Sequence, residues 1–99
     1  MLSNYGVDPI LINWCAESGV DFHKIMYKTS HLFPRENGDR LFIYTSTPGR
    51  LIGKYGSLLE KYKVELEKEA RGKVTIELVE TNRIMTEEEW ENYFVSRGY

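Results

Sequence analysis

The sequence predicts an α+β fold in the order α-β-β-α-α-β, with an extra C-terminal helix and a three-stranded mixed sheet covered by helices on one face. Three observations carry this. Apolar residues recur at helical spacing within 8–19, 57–70 and 86–98, and alternate with a period of two within 40–46 and 74–79. Clusters rich in glycine, proline or asparagine punctuate the segments. The last strand follows a helical crossover, so it is most simply parallel to the strand before the crossover.

Taken in order, residues 1–7 are expected to form a flexible N-terminus. Asp8-Pro9 suits the N-cap and first position of a helix. Ile10, Leu11, Trp14 and Cys15 fall on one face of it, and Gly19 ends it. Val20 to Phe33 is β-like but alternates imperfectly, which implies a bulge or a short lead-in loop. Pro34 to Asp39 is a turn cluster in which Asn37-Gly38 suits positive φ. In Arg40–Ser46, Leu41, Ile43 and Thr45 face one way and Phe42, Tyr44 and Ser46 the other. This strand should pair with the preceding run as an antiparallel hairpin.

Thr47 to Glu60 reads T-P-G-R-L-I-G-K-Y-G-S-L-L-E. Thr47 and Pro48 suit the cap and first position of a short helix. Gly53 stops that helix, and Gly53-Lys54-Tyr55-Gly56 forms a tight loop. Ser57 and Glu60 have the spacing of a capping box for the next helix, whose core stripe is Leu59, Tyr62, Leu66 and Ala70. Gly72 suits its left-handed end. Val74, Ile76 and Leu78 point inward from the final strand. Thr86-Glu87-Glu88-Glu89 suits a second capping box, for a helix over 86–98 with Trp90, Tyr93 and Phe94 on one face. That aromatic face either completes the core or serves as a partner surface. The chain thus divides into a terminus (1–7), a folded domain (8–80) and a C-terminal helix (81–99).

Length and composition set bounds. The 99 residues suit one domain with one modest core. No apolar run approaches the roughly 20 residues of a membrane span, so no membrane partner is expected. Met1 to Gly6 lacks the pattern of a signal peptide. The single Cys15 excludes an intramolecular disulfide, and a cytoplasmic location is expected. Cys15 reads as a small buried apolar residue rather than a nucleophile. The formal net charge of −2 argues against a general nucleic-acid binder. Its distribution matters more. Thr47 to Lys73 holds seven basic and four acidic residues, a local +3, whereas Glu80 to Tyr99 holds two basic and five acidic, a local −3. The basic middle either attracts phosphate or reflects ordinary variation of surface charge. His23 and His31 lack metal-ligand spacing, and neither paired cysteines nor a P-loop is present. No enzyme activity and no cofactor are expected.

The stretch P-G-R-L-I-G-K-Y-G, with a capped amphipathic helix after it and a strand on each outer side, resembles the signature of a KH (K-homology) domain. Helix and strand precede the core, so the resemblance is to the type II arrangement. It is similar to the KH domain of the small-subunit ribosomal protein at the mRNA entrance, where a strand likewise runs into T-x-x-P-G-x-x-I-G-K-x-G. The resemblance covers Asp8 to Glu80 and implies a non-catalytic protein that binds single-stranded RNA (mRNA or rRNA), with ribosomal or RNP proteins as further partners. By resemblance, Gly53 and Gly56 shape a clamp on the RNA backbone and Lys54 meets a phosphate. Tyr55 touches a sugar or stacks on a base, Arg50 joins Lys54 on one face, and Ile52 and Leu59 hold bases, pack in the core, or do both. The alternatives are a KH scaffold used for protein–protein contact through the face of Trp90, Tyr93 and Phe94 or through an exposed sheet edge, a purely structural turn at the glycines, and single-stranded DNA as the ligand.

Overall fold

A central strand that is apolar on both faces organises the chain. The computed structural model describes residues 1–81 and Glu88. Among them the order is α1 (Asn4–Ser18), β1 (Met26–His31), β2 (Asp39–Thr45), α2 (Pro48–Ile52), α3 (Ser57–Ala70) and β3 (Val74–Glu80). Single 3-10 turns occupy Phe22–Lys24, Arg35–Asn37 and Lys54–Gly56. β2 lies in the middle of the sheet, antiparallel to β1 (Met26 opposite Tyr44) and parallel to β3 (Asp39 opposite Val74). The α+β class, the mixed three-stranded sheet and the order of elements agree with the sequence reading. So does the alternation in β2. Leu41 and Ile43 join Val7, Leu11, Trp14, Cys15, Leu51, Tyr62, Leu66, Ala70 and Val74 in the main core, and Phe42 and Tyr44 form a cluster on the other face. Burial on both sides makes the strand read as a nearly unbroken apolar run.

The N-terminus departs from expectation. Instead of lying loose, residues 1–7 are built into the fold. Ser3 is the N-cap of α1 and its hydroxyl accepts from the Gly6 amide. Leu2 is only 4 % exposed and Val7 is fully buried. The Met1 ammonium donates to the Ala70 carbonyl at 2.9 Å, and the Leu2 amide to Asp39 Oδ2 at 2.8 Å. Helix start at Asp8 is thereby corrected. Val7, Leu11, Trp14 and Cys15 form one stripe, and burying Val7 requires an earlier turn. Pro9 sits inside α1, where it forfeits the bond to the Tyr5 carbonyl. Asp8 is not a cap, because its carboxylate accepts from the Tyr27 hydroxyl.

Two other boundaries moved. The imperfect β-like run resolves into the 3-10 turn at Phe22–Lys24, a lead-in to the shorter β1. At the hairpin Gly38 alone takes positive φ (83°), not Asn37, and at the end of α3 it is Arg71 that is left-handed (φ 57°), not Gly72.

Asp39 ties the N-terminus to the sheet. It is buried, with Oδ1 2.6 Å from His31 Nδ1 and Oδ2 accepting from Leu2. Burial alone would push its carboxyl up. The hydrogen bonds from His31 and the Leu2 amide, with the charges of His31 and the N-terminal amine, outweigh this and hold it below the usual carboxylate range. A carboxyl lowered in the folded state stabilises fully above its unfolded pKa, about 3.9, and that contribution fades as pH falls through the lower folded value. Asp39→Asn is therefore expected to be less stable than wild type at pH 6, with the gap closing toward pH 2. Urea melts across that range measure it, and a gap independent of pH would contradict this role.

Candidate nucleic-acid interface

The loop between α2 and α3 is built by three backbone hydrogen bonds. The Gly53 amide donates to the Gly49 carbonyl (3.1 Å), the Gly56 amide to Gly53 (3.2 Å), and the Ser57 amide to Lys54. None of these bonds uses the amides of Lys54 or Tyr55. Gly53 has φ 75° and ψ 179°, a region essentially restricted to glycine, and a Cβ there would lie 2.8 Å from Leu58 Cγ. Gly56 is left-handed, with open space around it.

Between the glycines Tyr55 is also left-handed (φ 57°, ψ 27°) and 96 % exposed. A non-glycine residue held there costs about 1–2 kcal/mol. Here the strain turns a tyrosine ring fully outward. The Lys54 ammonium lies 5.5 Å from that ring's centroid, within cation–π range. One exposed charge and one exposed aromatic face thus project together from the loop.

The expected capping box at Ser57 is absent. Ser57 already has helical angles (φ −62°, ψ −39°) and Gly56 is the N-cap, with no side-chain cap bond. The 3-10 turn runs straight into α3, so Ser57 never adopts the extended angles a capping hydroxyl needs. Thr47 is likewise the N-cap of α2 without a side-chain bond. The start of α3, positive by its dipole, is left without a side-chain partner directly behind the loop.

The remaining sequence candidates sort themselves by contact. Ile52 and Leu59 are half-buried, and Leu59 packs against the main core. Both readings given for them, packing and groove, remain open to such positions. Arg50 turns the other way, its Nη1 donating to the Gly19 carbonyl at the end of α1 (3.4 Å). Trp90, Tyr93 and Phe94 lie outside the described residues.

Some supporting residues escaped the sequence reading. Leu58 forms the floor under Gly53. The Trp14 indole donates to the Leu51 carbonyl at 2.9 Å and so holds α2 in place. A buried tryptophan signals that its N–H has a partner, but not which one. Ile76 and Leu78 of β3 are half-buried rather than enclosed, because β3 pairs with β2 on one side only. Lys61 is committed elsewhere, bonded to Glu17 at 2.9 Å. The Tyr62 hydroxyl also donates to Glu17. Those two bonds, that of Tyr62 first, hold the Glu17 carboxyl low, while burial and then Glu17 push the Tyr62 hydroxyl up to about 12. This network lines a surface hollow of about 590 Å³ between α1 and α3, with Ile10, Asn13, Ala16 and Glu65.

His23 sits in the 3-10 turn and His31 at the end of β1. No group of three or more His, Cys, Asp or Glu side chains is placed to hold a metal ion among the described residues. None of the described helices is long and apolar enough to cross a membrane.

A short helix, a glycine-flanked turn and a long helix are set on a three-stranded mixed sheet. Residues 23–84 match the model of the KH domain, and the protein belongs to the KH-domain family. Membership implies nucleic-acid binding, typically of single-stranded RNA, by a module that is in general non-catalytic. The match begins at His23 and leaves α1 outside it. No curated protein and no solved structure matches the chain.

Proposed function

We propose that the chain is a type II KH protein that grips single-stranded RNA, mRNA or rRNA, through Gly53-Lys54-Tyr55-Gly56. One observation carries this: the loop projects an exposed Lys54 and Tyr55 between two positive-φ glycines, ahead of a helix start that has no side-chain cap. The backbone amides and Lys54 suit a phosphate, and the Tyr55 ring suits a sugar or a base face. Half-buried Ile52 and Leu59 beside the loop suit the bases that follow. The type II assignment is supported by α1 and β1 preceding the core. A buried lone thiol, Cys15, suits the cytoplasm, and a ribosomal or RNP assembly is the setting that the sequence resemblance favours.

One loop with few charges should bind weakly, and more weakly as salt rises. The double variant Lys54→Asp with Tyr55→Asp is expected to lose at least about tenfold in affinity for short RNA oligomers, since one stacked base is worth about 1–3 kcal/mol. Its far-UV circular dichroism should not change, because both side chains point to solvent. An NMR titration that follows the amides of Lys54, Tyr55 and Gly56 with RNA and with DNA oligomers checks the site and the choice of sugar together. Equal affinity in the double variant would remove the loop from the mechanism.

A further inference from the structure

A second group of cations lies at the end of the sheet remote from the Gly53–Gly56 loop. α3 runs 14 residues from Ser57 to Ala70, about 21 Å, and so separates the two places. At its far end the β1–β2 hairpin meets the α3–β3 turn. The Asp39 amide donates to the Lys73 carbonyl at 3.0 Å, and Gly38 lies so close to that carbonyl that no Cβ would fit. Beside this contact is a hollow of about 220 Å³ lined by Arg35, Gly38, Arg71 and Lys73, with Glu36 and Asp39 as its acids. Asp39 is buried and engaged by His31 and the Leu2 amide; Arg35 stands farther off, at 4.0 Å. Among the described residues Arg71 and Lys73 enter no ion pair and no side-chain hydrogen bond, whereas Arg40, Lys61 and Lys68 each face a glutamate.

Two further observations point to a ligand. Arg71 holds left-handed angles (φ 57°, ψ 40°), unfavourable for a residue with a side chain, although Gly72 follows it directly. A helix end by itself favours the glycine at that position. The dipole of α3 accounts for cations near its end in general, not for strain at one of them. Phe33, on the same hairpin tip as Arg35, is 83 % exposed. An open ring beside free cations thus repeats, at the other end of α3, the pairing of Tyr55 with Lys54. We propose that this patch is a second contact for a single-stranded nucleic acid, in which Arg35, Arg71 and Lys73 meet phosphate and Phe33 stacks on a base. The contact rests on the reading of Gly53–Gly56 as the first one. It takes up the part of a strand that runs past the roughly four nucleotides clamped there.

Titration of the full chain with RNA of about four and about twelve nucleotides tests this, since the shorter strand fills the loop alone. Phe33→Ala should weaken binding of the longer RNA about fivefold or more, as for one lost stack. Arg71→Gly with Lys73→Gln should lower the slope of log affinity against log salt by at least about 0.7, one phosphate contact. Glycine relieves the left-handed strain at position 71, so that double variant should melt no lower than wild type. The shorter RNA should bind both variants as it binds wild type. Unchanged affinity and salt slope for the longer RNA in both variants would overturn the second contact and leave the loop standing. An equal loss on both lengths would also overturn it, because the substitutions would then act through the fold. A wild-type chain that binds neither RNA would remove the loop and the patch together.

Discussion

Trp14→Ala is expected to leave little folded protein at 25 °C. Trp14 is fully buried, and its ring stacks on Tyr62 with centroids 5.4 Å apart and planes 10° from parallel. Truncating a buried tryptophan removes about 3–5 kcal/mol. The lost indole N–H also strands the buried Leu51 carbonyl, worth about 1–3 kcal/mol. Together these approach the whole stability of a small domain, roughly 5–15 kcal/mol. Trp14→Phe separates the two terms. It keeps most of the apolar bulk, gives up the bond to Leu51, and should lower Tm by about 4–20 °C. Since Leu51 lies two residues before Gly53, the milder variant should also loosen α2 and weaken RNA binding. Thermal melts of both variants, with RNA titration of Trp14→Phe, give the answer. A Trp14→Ala protein that melts within a few degrees of wild type would show that α1 does not hold α2.

Gly53→Ala is expected to be far worse than Gly56→Ala, although both glycines have φ near 75°. At Gly53 the backbone conformation excludes a side chain, and the new methyl would meet Leu58 Cγ at 2.8 Å and Cβ at 3.0 Å. Strain of about 1–3 kcal/mol adds to the displacement of a packed leucine, so a loss of about 2–4 kcal/mol and roughly 10–30 °C in Tm follows. At Gly56 nothing lies within 4 Å, and ordinary left-handed angles cost about 1–2 kcal/mol. Urea melts of the two variants distinguish them. Equal losses would mean that the floor formed by Leu58 yields freely.

Local pattern carried much of this architecture. The period-two run in β2, the 3.6-residue stripe Tyr62–Leu66–Ala70 and the glycine pair around Lys54-Tyr55 each depend on neighbours in sequence, so the helices, strands and turn at those places were legible before any coordinates. The parallel pairing of β3 was legible too, because a helical crossover restricts topology. What failed was decided mostly at a distance, and at Ser57 by the turn just before it. Asp8 and Ser57 look like caps in isolation. One is taken by Tyr27, nineteen residues away, and the other is overridden by a turn that leads directly into α3. Residues 1–7 carry no strong local signal, and Leu2 is fixed by Asp39 on a strand thirty-seven residues later.

By itself, then, the sequence determined the α+β class, the order of elements and the bend at Gly53–Gly56, since each is written in residues that are close together along the chain. Only the tertiary structure decided that Arg50 turns to Gly19, that Trp14 anchors Leu51 and that the N-terminus is locked to Asp39. Those choices rest on contacts between distant segments, and a contact of that kind exists only once the core has brought its two sides together.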